Sequence, residues 1–146
     1  TVFAQQLQAN AVLLKQQLLA QSLPPEQLIS TVARTLHNLA DTRAATGEEE
    51  RYSHIDANGF AANLQTTRKV VDLLRPLLAK NSAGLLQRID TASTALESEL
   101  NGLKTPQGYI TYDTVSAAQR QAISNKAKAV ADALDGIDPA LGLSGL

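Results

Sequence analysis

The sequence predicts an all-α fold, an antiparallel up-and-down bundle of four to five helices within one domain that spans residues 1–146. Three observations support this prediction. Apolar residues recur at steps of three and four through several segments of about 20 residues, the spacing of an amphipathic helix. The segments are joined mostly by short turns, which place consecutive helices side by side. The β-type residues form a single run, at 109–112, and one run cannot make a sheet alone.

The first two helices are predicted at residues 1–21 and 25–44. Pro24 pushes the preceding residue out of the α region and therefore ends the first helix near residue 22. Pro25 fits the first turn of the second helix, where its missing N–H would have no partner in any case. The apolar stripes are Phe3, Leu7, Ala11, Leu14 and Leu18, then Leu28, Val32, Leu36, Leu39 and Arg43.

Two further helices follow an acidic turn. Asp56 is predicted as the N-cap of the third helix, because its side chain can accept hydrogen bonds from the free N–H groups of the first turn. Pro76 removes one backbone hydrogen bond and clashes with the preceding turn, so a kink or an early end is expected there. Asn81 and Ser82 are cap-type residues that open the fourth helix. The stripes are Phe60, Leu64, Thr67, Val71, Leu74 and Leu78, then Leu85, Ile89, Ala92, Leu96, Leu100 and Leu103.

Residues 101–114 are the least regular part of the chain, because Gly102, Pro106 and Gly108 interrupt any regular pattern. We expect an extended connector that lies along the bundle. Asp113 or Thr114 then caps a last helix that runs to about residue 134. The glycines and proline beyond that point predict a loose tail.

Composition excludes several classes of function. Charged residues are 18% of the chain and the net charge is −1, with no Lys/Arg run, so neither nucleic acid nor a polybasic membrane contact is expected. Apolar runs fall short of the roughly 20 residues that cross a bilayer, so direct membrane insertion is not expected. Cysteine is absent, which removes thiolate ligands and Cys nucleophiles. The chain begins with threonine and has no methionine, so we expect a processed product or a fragment.

Ionisable side chains of several kinds are concentrated in residues 46–63. The glutamates 48–50 are followed by His54 and Asp56. Carboxylate oxygens and one imidazole suit iron, zinc or manganese, so Glu48, Glu49, His54 and Asp56 are candidate metal ligands. The alternative is structural: the glutamates form a solvated acidic turn, His54 packs or bonds locally, and Asp56 is only a cap.

Three other features allow a functional and a structural interpretation. His37 and Asp41 are four residues apart on one helix, a spacing that suits either a metal clip or an ion pair. Tyr109 and Tyr112 either bind a ligand through their hydroxyls or cover the bundle edge with their hydroxyls in water. Arg75 holds an anion or forms a salt bridge.

Known catalytic patterns are missing from the sequence. It has no HExxH motif, no phosphate-cradling glycine loop and no nucleophile motif near either histidine. The expectation is therefore a protein that is not an enzyme.

Several short motifs from residue 47 onward resemble one family. They are GEE-x-x-YSH-x-D at residues 47–56, F-x-AN at 60–63, LLRPLL at 73–78, and GY-x-x-YD at 108–113. Together they are similar to the signature of the imelysin-like family, in particular its EfeO/EfeM branch. The family's GxHxxE motif is absent, because the third residue after His37 is Ala40 and the third after His54 is Ala57.

The resemblance implies a component of a bacterial iron-acquisition system in the periplasm that binds or delivers metal ion. The cofactor would be iron, with zinc and copper as open alternatives. The chain would be the C-terminal half of a two-bundle domain, and its partner the preceding half that carries HxxE. A membrane iron permease or a periplasmic peroxidase-like protein are further partners that the family suggests. The alternatives are a non-catalytic helical module that docks to a transporter or partner protein and, ranked last, a metallopeptidase.

Overall fold

The computed structural model describes residues 2–20, 24–47 and 52–143, and it confirms the all-α bundle. The α-helices of these ranges are α1 Val2–Ala20, α2 Pro25–Asn38, α3 Ala44–Thr46, α4 Asp56–Asn81, α5 Ala83–Asn101, α6 Ala117–Leu134 and α7 Ile137–Leu141. A π-helical segment, Leu39–Arg43, joins α2 to α3, so the predicted second helix continues almost unbroken.

The core lies between α2, α4, α5 and α6. Each of these helices packs against two of the others, in the cyclic order α2, α6, α5, α4. Leu36, Ile89, Leu96, Ile123 and Leu134 are among the fully buried side chains. Burying one such side chain contributes about 1.5–3 kcal/mol relative to leaving it in water. The apolar stripes predicted on these four helices therefore meet along one common axis.

Helix α1 does not join this core, although its helical structure was predicted. Every residue of α1 whose side chain is described is exposed, and its large apolar residues are between 51% and 89% accessible. Lys15 is its single charged residue. The prediction that its apolar stripe packs into the bundle was wrong for the part of the domain described here.

Helix α4 runs through Pro76 to Asn81, so of the kink or early end expected at Pro76 the early end was wrong. Leu74 and Leu78, on either side of the proline, are both buried against the core. Packing of this kind compensates for the hydrogen bond that proline removes. The cap of the same helix also differs from the prediction, because Ile55 occupies the N-cap position and Asp56 is the first helical residue.

The connector contains a small sheet that the sequence did not predict. Strands β1 Lys104–Thr105 and β2 Gly108–Tyr109 pair antiparallel, and a 3₁₀ turn Tyr112–Thr114 follows. Such short strands close a hairpin but do not extend beyond it. The cap of α6 is Ser116, whose side chain accepts from the Gln119 N–H while the Gln119 side chain accepts from the Ser116 N–H. Neither Asp113 nor Thr114 caps this helix.

The tail is helical rather than loose in its described part. Helix α7 follows α6 after a short turn and buries Ile137 completely. The buried Ile137 holds α7 against the bundle.

Ion pairs cross-link α4 and α5. The Arg75 guanidinium donates two hydrogen bonds to Asp90, at 2.8 and 2.9 Å, and one to Asp72 at 3.0 Å. This confirms the salt-bridge interpretation of Arg75, and the bonds from Arg75 hold the pKa of Asp90 below its usual range. None of the described helices is long and apolar enough for a bilayer span.

Candidate functional site

The turn between α3 and α4 contains two residues in the left-handed backbone region. Gly47 ends α3 with φ +69°, and His54 has φ +53° two residues before α4 begins. Glycine adopts this region freely, whereas histidine is one of the few other residues found there. At these two positions the backbone departs from helical geometry, once where α3 ends and once just before α4 begins.

The structure describes two of the four predicted metal ligands. Glu48 and Glu49 lie outside the described residues. His54 is half-buried, and Asp56 is fully buried at the start of α4. A fully buried carboxylate needs a hydrogen-bond, ion-pair or metal partner. Shared coordination by these four residues therefore stays a prediction.

Tyr112 holds the turn against the rest of the bundle. Its hydroxyl donates to the Ala44 carbonyl at 2.6 Å, and its backbone N–H donates to the His54 carbonyl at 2.8 Å. Its ring meets Phe60 edge to face, with 5.3 Å between the ring centroids. The expectation of a wet hydroxyl was wrong for Tyr112, because this side chain is completely buried.

Arg120 of α6 contacts the same region, a role that no local motif indicated. Its guanidinium donates to the Val115 carbonyl at 2.9 Å and to the Thr46 and Asp113 carbonyls at 3.2 Å. The guanidinium carbon lies 5.4 Å from the centre of the Tyr112 ring, a cation–π distance. The end of α3 is thus held by one cation and one phenol.

Titratable groups at this end of the bundle interact with one another. Burial raises the pKa of the Tyr112 phenol, and the charge of Asp56 acts in the same direction, while Arg120 opposes both. A hydrogen bond from Thr111 lowers the pKa of Asp113, and the charge of His54 contributes to that lowering. The imidazole of His54 therefore lies within electrostatic range of a second carboxylate, one that sequence reasoning did not include among the ligands.

His37 has a different partner from the one its helix suggested. Its Nε2 lies 2.9 Å from Asp135 Oδ2, at the end of α6, rather than on Asp41. Asp132 joins this pair, and the ligand atoms of the three residues lie within 4.8 Å of one another. Among the described residues, this is the one group of three or more metal-ligating side chains that converge. The 98-residue separation of His37 and Asp135 explains why no sequence spacing revealed it.

Comparison with known proteins places this chain among iron-uptake relatives. The imelysin family model (peptidase M75) matches residues 1–137. The iron uptake system component EfeO of Escherichia coli (strain K12) is 33% identical over 141 residues, which is 97% of this chain and 37% of that protein. EfeO of Shigella flexneri gives the same identity and coverage. The chain thus spans 37% of the length of these relatives.

The family assignment and the fold agree. The match covers helices α1 to α6, including the turn that carries the YSH motif. The resemblance suggested by the sequence motifs is confirmed, and the protein belongs to the imelysin family.

Proposed function

We propose that this chain is part of a periplasmic iron-acquisition component that binds or delivers a metal ion without catalysis. Its relatives are named iron uptake system components, and those names assign no reaction. The metal site would lie at the turn between α3 and α4, with Glu48, Glu49, His54 and Asp56 as ligands. Iron is the preferred ion, and zinc and copper are the alternatives.

The observation that carries this proposal is the way His54 is held. Its carbonyl accepts from the Tyr112 backbone while its φ of +53° turns the chain sharply before α4. A histidine in the left-handed region is uncommon, and such conformations persist where surrounding contacts enforce them. Tyr112 supplies such a contact to His54 itself through its backbone N–H. The Tyr112 hydroxyl and Arg120 hold the carbonyls of Ala44 and Thr46 at the end of α3. The imidazole is therefore attached to a backbone with little freedom to move, as a preorganised ligand requires.

The charges around His54 suit a hard or borderline cation. Three glutamates precede it in sequence, Asp56 follows it, and Asp113 interacts with it across the turn. Oxygen ligands with one imidazole match the preference of iron, manganese and zinc. Arg120 directs its guanidinium to backbone carbonyls and to the Tyr112 ring, so it fixes the end of α3.

A calorimetric titration tests the site. The chain is titrated with Zn²⁺ and Cu²⁺, and with Fe²⁺ under anaerobic conditions. The test variant is Glu49→Ala/His54→Asn, since asparagine tolerates the left-handed backbone that alanine would strain. We expect this variant to lose a binding event that the wild-type chain shows.

The matched control is Glu26→Ala/His37→Gln, which removes the same two residue types elsewhere in the chain. It should retain the binding event at the turn. Equal heats for the wild-type chain and the Glu49→Ala/His54→Asn variant would argue against ligands at this turn. Binding that appears only when the preceding part of the domain is added would place the remaining ligands there.

Helix α1 favours an interaction role alongside metal binding. Its exposed apolar residues include Phe3, Leu7 and Leu14 on one side and Val12 and Leu13 beside them. A helix that is apolar around much of its circumference is normally buried in a larger core. We propose that the partner which covers α1 is the preceding half of the same domain, because the chain spans 37% of the length of its relatives. A permease or a peroxidase-like protein would then bind the assembled domain.

Light scattering with and without the preceding half tests this assignment. A stable one-to-one complex, lost on Phe3→Ser/Leu7→Ser but kept on Gln5→Ser/Gln8→Ser, would support it. A dimer of this chain that the preceding half does not dissociate would contradict it, because a second copy would then cover α1.

A further inference from the structure

We propose a second cation site, formed by His37, Asp132 and Asp135, which binds a divalent first-row transition metal on the surface of the bundle. It is separate from the turn between α3 and α4 and shares no residue with it. The proposal does not depend on the proposed function. The two histidines of the chain belong one to each site.

The geometry of the three side chains carries the proposal. His37 Nε2 and Asp135 Oδ2 are 2.9 Å apart, and an Asp132 oxygen completes a set within 4.8 Å. Two ligand atoms that share one metal at about 2.1 Å lie about 3.0–3.4 Å from each other. The first pair thus has nearly the required spacing. Asp132 is exposed, and its side chain would move to bring an oxygen to the same distance.

The helices hold these residues in place. Asp132 and Asp135 are three residues apart and share a face at the end of α6. The Ser124 hydroxyl donates to the Ala40 carbonyl at 2.7 Å in a buried contact that joins α6 to the π segment just beyond His37. Leu36 and Leu134, next to the site residues in sequence, are fully buried. The backbone positions of the three ligands are therefore fixed by the core.

The local charge independently favours a cation. Asp132 and Asp135 stand at the C-terminus of α6, where the helix dipole is negative and acidic groups are destabilised. No basic residue occupies the last turn of this helix. Lys128 bonds Asp132 at 3.1 Å, but this is an exposed pair four residues apart on one helix, a kind of ion pair that stabilises a protein very little. A divalent ion bound by three ligands can displace it.

A fourth carboxylate borders the same place. Asp138 lines a surface cleft of about 300 Å³ together with His37 and Asp135. Its Oδ1 is buried and has no hydrogen-bond partner among the described residues. Asp138 therefore adds a further carboxylate beside the three proposed ligands, and its charge favours a cation at this place.

The chemistry of the ligands indicates the class of ion. One imidazole nitrogen and two carboxylate oxygens suit Zn²⁺, Fe²⁺ and Mn²⁺, and water fills the remaining positions. Asp135 is 56% exposed and His37 is 28% exposed, so the ion would exchange readily with solvent. The site is therefore suited to transient loading rather than to permanent retention.

Imidazole NMR tests the proposal directly. The His54→Asn variant leaves His37 as the only histidine, and its ring signals are followed during titration with Zn²⁺. We expect saturable shifts of these signals. Asp132→Asn/Asp135→Asn in the same background should weaken the apparent affinity by at least about tenfold, the loss seen when even outer-shell partners are removed.

The matched control is Asp41→Asn, which removes a nearby exposed negative charge that is not a proposed ligand. It should change the affinity far less than the ligand variant. His37 signals that do not respond to Zn²⁺, or equal affinities in the ligand and control variants, would overturn the proposal. The reciprocal variant, His37→Gln, reports on His54 alone, so failure at one site is distinguishable from failure at the other.

Discussion

The two histidines of this chain occupy opposite kinds of environment. His54 lies beside the buried contacts that join Tyr112 to Phe60 and to the end of α3, where Arg120 also binds. Its own carbonyl accepts a hydrogen bond from the Tyr112 backbone. His37 lies on a regular helix, and its carboxylate partners come from the exposed end of another helix. The environment of His54 depends on buried contacts, whereas that of His37 depends on how α2 packs against α6.

This difference predicts how substitutions around each histidine should affect stability and metal binding. Substitutions near His54 disturb buried contacts and therefore lower stability, whether or not a metal binds there. Substitutions near His37 alter exposed groups and should change metal binding with little effect on stability. The following predictions test this contrast, beginning with the largest expected effect.

Phe60→Ala should lower the free energy of unfolding by about 3–5 kcal/mol, because it opens a cavity beneath the Tyr112 ring. Urea unfolding followed by circular dichroism measures the change. Leu77→Ala, on an exposed part of the same helix, is the control and should stay within about 0.5 kcal/mol. Similar losses of stability in both variants would show that any truncation on α4 destabilises the protein, and that the contact between Phe60 and Tyr112 has no particular importance.

Gly47→Ala should lower stability by about 2–3 kcal/mol. Alanine is strained at φ +69°, and its Cβ would meet the Tyr112 ring at 2.9 Å. Gly84→Ala is the matched control, since a Cβ there meets nothing within 4 Å on a helix. The control should gain about 0.4–1 kcal/mol. A neutral Gly47→Ala variant would mean that the end of α3 is not held in the conformation described above.

Tyr112→Phe should cost about 1–2 kcal/mol at pH 8, because the buried Ala44 carbonyl loses its donor. The effect should depend on pH. Burial raises the pKa of the Tyr112 phenol in the folded protein, so its contribution is complete below the unfolded value near 10 and is lost as pH rises toward the folded value.

The stability difference between wild type and Tyr112→Phe should therefore shrink above about pH 10. Unfolding curves at a series of alkaline pH values measure it. Tyr52→Phe, at a side chain that is 96% exposed, is the control and should not show this loss of stability. A constant difference across this range would rule out the buried phenol as its cause.

Asp132→Asn/Asp135→Asn should leave metal-free stability within about 0.5 kcal/mol of wild type. The lost contact with His37 is offset by relief of unfavourable charge at the C-terminus of α6. Thermal unfolding in the presence of a chelator measures this. A large loss of stability would show that the His37–Asp135 ion pair is structural. The surroundings of His37 would then be as sensitive to substitution as those of His54.

Local sequence patterns predicted the helices well but not their partners. The apolar stripes of α4 and α5 were correct, because each repeats along one element and needs no knowledge of the others. The cap at Ser116 was missed although the Ser-x-x-Gln spacing was available, since Asp113 and Thr114 competed for the same role. The continuation of α4 through Pro76 depended on packing that a single segment does not reveal.

The candidate sites divide in the same way. The acidic turn was visible because its residues are adjacent in sequence. Its local density of polar groups singled out His54, whose role as a ligand stays a prediction. Tyr112 and Arg120 contact the end of α3 from 68 and 74 residues further along the chain. The His37 group needed the packing of α2 against α6 before its three members could be recognised as neighbours. Long-range convergence is the part that one sequence does not encode in any local pattern.

The π-helical segment Leu39–Arg43 has a consequence for insertions and deletions. Its i→i+5 hydrogen bonds widen the helix to accommodate one surplus residue. Removing one residue within the segment should restore ordinary winding and leave the direction of the chain beyond it nearly unchanged, because the wider turn has already absorbed that residue. A deletion in the regular winding of α4 would instead rotate the residues beyond it by about 100° about the helix axis. The π segment is therefore the place between α2 and α3 where the loss of one amino acid least disturbs the orientation of His37 relative to Gly47.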